Sequence, residues 1–378
     1  MRSELDESTA GRAAGGRYAG PARKSAAMGE LAVETKLVER ARSREFAVDA
    51  VVVQVVAMVR AALFTSAVCL SHDAGFLCPE RPARLETLLA ALDGWRDDFG
   101  DSLTVSDGAD ATRKQLLRVH TAAHLDRLEA AFDKSGGLLN LPVGVGVDAS
   151  VRAGSRAAAV RSAGLAVAAV DAVFGADGDF GAKTARRALV LARPPGHHAE
   201  PDAALGFCLY NNALVGVAHA QAAHGVGRCA ILDFDVHQGN GNAAMCWDDP
   251  TRLYASTHER GIFPCGVSAY AERPNPSVLN RPLSAGAGSA EFRRAWTELL
   301  EAVDRFEPDA IFLSAGFDAH ADEELASINL ADDDYDWITR QAVALAGDRP
   351  LVSVLEGGYG LDVLARCTRV HLAALLDG

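Results

Sequence analysis

A chain of 378 residues can form one large α/β domain or two ordinary ones, and its 49% apolar content supplies a core. A net charge of −13 without a basic block argues against direct nucleic-acid binding, which needs phosphate neutralisation, and suits cationic ligands such as basic peptide tails or polyamines. The seven cysteines are scattered and form no CxxC pair, which argues against a structural zinc ribbon and for a reducing compartment.

No membrane span is expected, because no apolar run approaches roughly 18 residues. The best candidate, Ala47 to Met58, is interrupted by Asp49 and Gln54. The N-terminus lacks the apolar stretch of a secretory signal, so the expected location is cytoplasmic, or nuclear in a eukaryote. An Arg-containing leader leaves organellar targeting open, although Glu4, Asp6 and Glu7 count against it.

Residues 1 to about 35 are rich in Ala, Gly, Arg and Ser and are expected to be disordered. Residues 36–58 could form a helix, but Val51-Val52-Val53 and Val55-Val56 oppose it. Residues 1–58 thus read as an N-terminal extension, disordered or partly helical, and 59–378 as the catalytic domain. A first core strand is predicted from Ala61 to Val68, with a helix over about 81–93 and two more within 111–134. After a glycine-rich loop, Gly136 to Gly146, an Ala/Val helix is predicted over 152–174 and a strand over 188–192. Later strands fall at 229–234, 252–256, 309–314 and 350–355, and helices at about 209–224, 289–305, 333–346 and 361–375. Strands alternating with helices imply an α/β fold with a parallel sheet covered on both faces.

In such folds ligands bind beyond the carboxyl ends of the strands. Polar residues cluster there in this chain. After 188–192 comes Arg193-Pro194-Pro195-Gly196-His197-His198, and after 229–234 come Asp235 and His237. Ser256, Thr257 and His258 end the next strand, then Gly316, Phe317, Asp318 and His320 the following one. Glu356-Gly357-Gly358-Tyr359-Gly360 closes the series. Each alone has a structural explanation. His197-His198 could be a loop pair, Asp318 a helix cap, Tyr359 a surface residue, and Ser256 and Thr257 strand-end caps. His120, His124, His258 and His371 are read as structural.

The stretch Asp233-Phe234-Asp235-Val236-His237 sets acids and an imidazole at alternate positions, which project to one side of an extended chain. Burying such charges is costly unless they are paired or metal-bound. Asp235, His237 and Asp318 would give two carboxylates and one imidazole from neighbouring strand ends. Three protein ligands leave a position open for water, the mark of a catalytic metal site, and N/O ligands suit zinc, with iron(II) or cobalt also compatible. With the adjacent histidines as proton carriers and Tyr359 as oxyanion donor, the parts suit a metal-assisted amide hydrolase.

These residues resemble the zinc-dependent histone deacetylase and acetylpolyamine amidohydrolase superfamily, closest to its class II-like members. The resemblance rests on Pro79-Glu80-Arg81-Pro82, Arg193 to Ala199, Gly206-Phe207-Cys208, Asp233 to Gly241, Ala315 to His320 and Leu355 to Tyr359, in family order. It implies an arginase/deacetylase-like domain with a central parallel sheet of about eight strands. By position it implies Asp235, His237 and Asp318 as ligands of one Zn2+, His198 as general base, His197 as its partner near the leaving group, and Tyr359 as the transition-state hydroxyl. Asp233 and Asn240 would orient the two histidines, and Asp233, Asp235, His237, Ser256 and Thr257 would hold a structural K+. Phe207 and Phe263, with Gly206, match the channel for the acyl-lysine stem, and Asp148 matches a rim carboxylate that holds substrate backbone.

The implied reaction removes acetyl from a protein lysine by attack of metal-activated water. The alternatives are an acetylpolyamine or other small-molecule amidohydrolase, which acids such as Glu323 and Glu324 at the mouth would favour, and a non-catalytic acyl-lysine-binding scaffold. Gln238 in place of a usual His, Cys78 before Pro79, and Cys265-Gly266 after Phe263-Pro264 depart from the family pattern.

Overall fold

A computed structural model describes residues 59–134, 139–140, 149–175 and 185–377. The N-terminal extension, residues 1–58, and Asp148 lie outside the described residues. In chain order the strands are β1 (Val59–Thr65), β2 (Leu103–Ser106), β3 (Leu139–Asn140), β4 (Ser150–Val151) and β5 (Ala185–Leu191). Then follow β6 (Cys229–Asp233), β7 (Arg252–Glu259), β8 (Val278–Leu283), β9 (Ala310–Ala315) and β10 (Leu351–Leu355). The helices are α1 (Ala83–Phe99), α2 (Arg113–Leu116), α3 (Ala122–Lys134), α4 (Ser155–Phe174) and α5 (Asn212–His224). The remainder are α6 (Asn240–Cys246), α7 (Ser289–Phe306), α8 (Asp332–Ala346) and α9 (Leu361–Leu376).

Eight strands form one parallel sheet in the order β2-β1-β5-β10-β9-β6-β7-β8, and β3 pairs with β4 in a separate antiparallel ribbon. The central strands β6, β9 and β10 are buried throughout, as expected of near-continuous apolar runs covered by helices on both faces. The predicted central strands are present. The short edge strand β2 and β8, which carries Asn280, Arg281 and Pro282, have no apolar run to betray them. Pro282 is tolerated because an edge strand has a side without a ladder. The first strand lies at Val59–Thr65 rather than 61–68; the chain turns at Ser66, which caps a short 3-10 helix with its hydroxyl.

One expectation is corrected. Among the described residues α4 is long and apolar enough to cross a membrane, although 67% of that stretch is buried within the protein. It packs on α5, β1 and β5 as a core helix, interrupted by Arg156, Arg161 and Asp171.

The histidines read as structural are hydrogen-bonded core groups. His371 lies between the hydroxyls of Thr339 (2.6 Å) and Ser353 (2.8 Å). His120 takes the Asn211 N–H at 2.9 Å and meets the Glu200 carbonyl at 3.0 Å. Burial pushes His120, His258 and His371 down from 6.5 to about 3. Their folded values lie below the unfolded ones, so the unfolded chain binds more protons in that interval. The stability they contribute is complete above about pH 6.5 and is lost as pH falls towards 3, at up to about 1.4 kcal/mol per pH unit for each ring. Urea midpoints should therefore fall markedly between pH 7 and pH 5; equal midpoints would contradict this.

Candidate active site

The parallel sheet brings the ends of β6, β7 and β9 level, with Asp233 beside Ser256 on one side and Ser314 on the other. The strand ends at Asp233, and Asp235 to His237 lie in the bends that follow. Asp233, Asp235 and His237 are therefore not three groups on one strand face, as alternation suggested. Asp235 Oδ1 takes the His237 backbone N–H at 2.9 Å and Asp235 Oδ2 that of Gly357 at 2.8 Å, which fixes the carboxylate.

Asp318 enters from the end of β9. His237 Nδ1 is 3.2 Å from Asp235 Oδ1 and 3.3 Å from Asp318 Oδ2. Asp318 Oδ1 accepts from the Val236 N–H at 2.9 Å, whereas Oδ2 is buried without a hydrogen bond. Two acids around one imidazole favour its protonated form, and they push His237 up to about 10 against its burial. Two buried carboxylates and an imidazole, with one carboxylate oxygen unsatisfied, fit a divalent cation with mixed N/O ligands. A Cβ on Gly357 would approach Asp318 Oδ2 at 2.2 Å and Asp235 Oδ2 at 2.5 Å, so only glycine fits against this pair.

The two neighbouring histidines differ in their partners. His197 Nδ1–H donates to Asp233 Oδ2 at 3.2 Å, and its Nε2 is 3.8 Å from Asp235 Oδ1. Burial disfavours charge on His197, but Asp235 and Asp233 overcome this and push it up to about 10. A cation at Asp235 would offset part of that pull. His198 Nδ1 meets Asn240 Oδ1 at 2.8 Å. Asn240 Nδ2 donates to the His198 carbonyl (3.1 Å) and to Glu200 (2.7 Å), so Oδ1 is the acceptor and the His198 proton sits on Nδ1. Nε2 then carries a lone pair. Burial, then the charges on His197 and His237, hold His198 well below 6.5, as a neutral ring. The rings lie 3.9 Å apart, centroid to centroid.

The walls come from two turns. Gly206 and Phe207 both have positive φ (52° and 66°), in a turn closed by Cys208 N–H to Leu205 O at 2.8 Å. A Cβ on Gly206 would meet the His198 ring at 2.2 Å. Phe207, strained as a non-glycine at positive φ, packs edge-on to Tyr359 with centroids 6.1 Å apart. Phe263 packs edge-on to His198 at 4.8 Å and lies 6.5 Å from His237.

Several site residues escaped the sequence. Glu80 is fully buried and forms a double ion pair with Arg193, both contacts at 2.7 Å. Arg84 donates to the carbonyls of Gly358 (2.6 Å) and Glu356 (2.5 Å), and its guanidinium lies 4.9 Å from the Tyr359 ring centre. Glu356 Oε2 takes the N–H groups of Gly196 (2.7 Å) and His197 (3.0 Å), and Oε1 takes the Ser314 hydroxyl at 3.1 Å. Tyr254 and Asn242 donate to Asp233 Oδ2 at 2.9 and 3.2 Å. Glu80, Arg193 and Glu356 appeared in the sequence only as members of motifs; an i, i+4 Glu80–Arg84 pair reads as a surface ion pair until the helix is placed.

Glu323 lines the mouth cavity, as expected, and is also an anchor. It is buried, and its Oε1 accepts the consecutive N–H groups of Tyr359 (2.9 Å) and Gly360 (2.8 Å). Glu324 is exposed beside a cavity of about 570 Å³, lined also by Asp322, Glu323, Phe76, Leu77, Leu325 and Tyr359. Gln238 is buried, with weak contacts to Tyr270 O and Asn280 Oδ1 at 3.4 Å.

The histone deacetylase domain family matches residues 78–375. The chain is 38% identical over 297 residues to a histone deacetylase-like amidohydrolase of Pseudomonas aeruginosa, covering 76% of this chain and 73% of that protein. It is 33% identical over 313 residues to the chloroplastic histone deacetylase 14 of Arabidopsis thaliana, covering 79% and 73%. The crystal structure of the HDA15 HD domain superimposes with a TM-score of 0.75 at 28% identity, covering 84% of this chain and 89% of that one. The chain belongs to the histone deacetylase family and is a hydrolytic deacetylase of that family.

Proposed function

We propose that the protein removes acetyl groups from lysine side chains of proteins, with one zinc ion held by Asp235, His237 and Asp318. The observation that carries this reading is the contrast between the two histidines that face the ligand set. A zinc ion there would polarise the acetyl carbonyl and acidify a water. His198, with a free Nε2 lone pair, takes a proton from the attacking water and gives it to the amine nitrogen as the C–N bond breaks, which leaves acetate and a free lysine. His197, whose Nδ1–H donates to Asp233, is the neighbour of the departing amine. Tyr359 donates its hydroxyl to the developing oxyanion. Phe207 and Phe263 enclose the apolar stem of the acyl-lysine. A K+ ion beside Asp233, Asp235 and His237, with Ser256 and the Thr257 carbonyl, would brace the strand ends; the Thr257 hydroxyl already accepts from Trp296 at 2.8 Å.

A peptide rather than a polyamine is supported by the rim, which exposes Phe76 (98%) and Leu77 (90%), surfaces suited to peptide side chains, and by Glu323 Oε1, which is engaged by backbone amides. The carboxylates of Asp322, Glu323 and Glu324 around the same cavity are what a polyamine would use. All seven cysteines are unpaired, which supports a reducing compartment such as the cytoplasm. The test is kcat/KM of zinc-loaded protein on an acetyl-lysine peptide and on N-acetylspermidine, side by side. The peptide should be preferred; a preference for the polyamine would make the protein a small-molecule amidohydrolase, and inactivity on a wide acyl panel would make it an acyl-lysine-binding scaffold.

Glu323 has its own expected effect. Removing the acceptor in Glu323→Ala frees the Tyr359 loop and should lower kcat about ten- to a hundredfold with KM little changed. An unchanged kcat would show that the loop holds itself.

A further inference from the structure

We propose a second divalent-metal site, formed by Asp171, His219 and His224 at the opposite end of the sheet from the catalytic centre. Asp171 lies in the last turn of α4, and His219 and His224 in the second half of α5. Helix α5 leads directly into the start of β6, whereas the catalytic groups follow the strand's end. The two sites are thus separated by the length of the strands.

The donor set converges on one point. Both His219 Nε2 and His224 Nε2 lie 2.8 Å from Asp171 Oδ1. Two imidazoles and one carboxylate suit zinc, nickel or cobalt far better than calcium or magnesium, which take oxygen ligands. The His224 side chain is 3% exposed and is stacked on Phe174 at 5.0 Å, so its orientation is set by packing. Its Nδ1, which must carry the ring's proton when Nε2 binds a metal, is buried without an acceptor among the described residues, a cost the ion has to overcome. Asp171 is 46% exposed, which leaves room for water to complete the coordination. The last turns of helices also favour cations. A third cluster, His320, Asp332 and Cys367, is different, since Arg366 already donates to Asp332 at 2.6 Å.

Arg118 also opposes the ion. Arg118 Nη1 donates to His219 Nδ1 at 3.0 Å, which keeps the ring's proton on Nε2. A metal on Nε2 requires that proton on Nδ1, so Arg118 must swing aside. Arg118 is half-buried on a short loop, and its removal should help binding rather than harm it.

The test uses the full chain carrying Asp318→Asn, in which the catalytic centre is disabled, stripped with a chelator and titrated with Zn2+. One equivalent should bind. Adding Asp171→Asn or His224→Ala should remove it, and Arg118→Ala should tighten it about tenfold. Absence of stoichiometric binding, or an equivalent that survives both Asp171→Asn and His224→Ala, overturns the site. Asp171→Asn replaces a half-exposed side chain and keeps the test valid if His224→Ala fails to fold. Should Asp318→Asn still hold a catalytic ion, two equivalents would bind and Asp171→Asn would remove one, so the two assignments fail separately.

Discussion

Asp318→Asn is expected to strip the catalytic metal while leaving the fold in place. The Val236 N–H, 2.9 Å from Asp318 Oδ1, selects the orientation of the new amide, because it needs an acceptor. The Asn oxygen must then take that place and its NH2 must occupy the position of Oδ2, 3.3 Å from His237 Nδ1. A donor would stand where the metal needs an acceptor, and one negative charge is lost. The shape is unchanged, so the metal-free variant should melt within a few degrees of the metal-free parent. Loss of Lewis-acid stabilisation, worth several kcal/mol, should lower kcat/KM by about a thousandfold or more. Metal content measured by atomic absorption, alongside turnover on an acetyl-lysine peptide, decides the matter. Normal metal content with normal turnover would sink Asp318 as a ligand.

Tyr359→Phe should separate chemistry from binding. The ring is held from three sides, by the Arg84 guanidinium at 4.9 Å, by Phe207 at 6.1 Å, and through its own amide by Glu323. None of these contacts uses the hydroxyl, so Phe should occupy the same place. Only the oxyanion donor is removed. The expected result is a fall in kcat of about 10² to 10³, with metal content and KM nearly unchanged. Burial raises the phenol well above 10 although Arg84 pulls the other way, so Tyr359 stays a donor throughout the neutral range. No alkaline loss of activity below pH 10 should therefore trace to this group. An unchanged kcat would take Tyr359 out of the mechanism.

The order of strands and helices was legible because central strands such as β6 and β9 are unbroken apolar runs. The edge strand β8 was not, because an edge tolerates the Asn-Arg-Pro that a central strand forbids. The site showed a similar division. Asp235, His237 and Asp318 stood out as acids and an imidazole where strands end. Glu323 was placed at the mouth, where it lies, but its anchoring role was hidden, because a Glu next to a Glu in a loop resembles a solvated pair until the backbone of Tyr359 and Gly360 is placed against it. Arg84 was invisible for the same reason: its partners are the carbonyls of Glu356 and Gly358, which side-chain spacing does not encode.

By itself the sequence determined the alternation of buried strands and helices, and with it the crevice where polar residues gather. It also determined the stock of metal-ligating and proton-carrying groups, since composition and period are local properties. Only the tertiary structure decided what each group touches. It ended β6 at Asp233, short of the ligand pair, and set the carboxylate of Asp233 3.2 Å from His197 and the amide of Asn240 2.8 Å from His198, pairings that only the family resemblance had implied. Those partners converge from residues distant in sequence, and proton affinity depends on the distances between buried charges, which arise only when the strands are laid side by side.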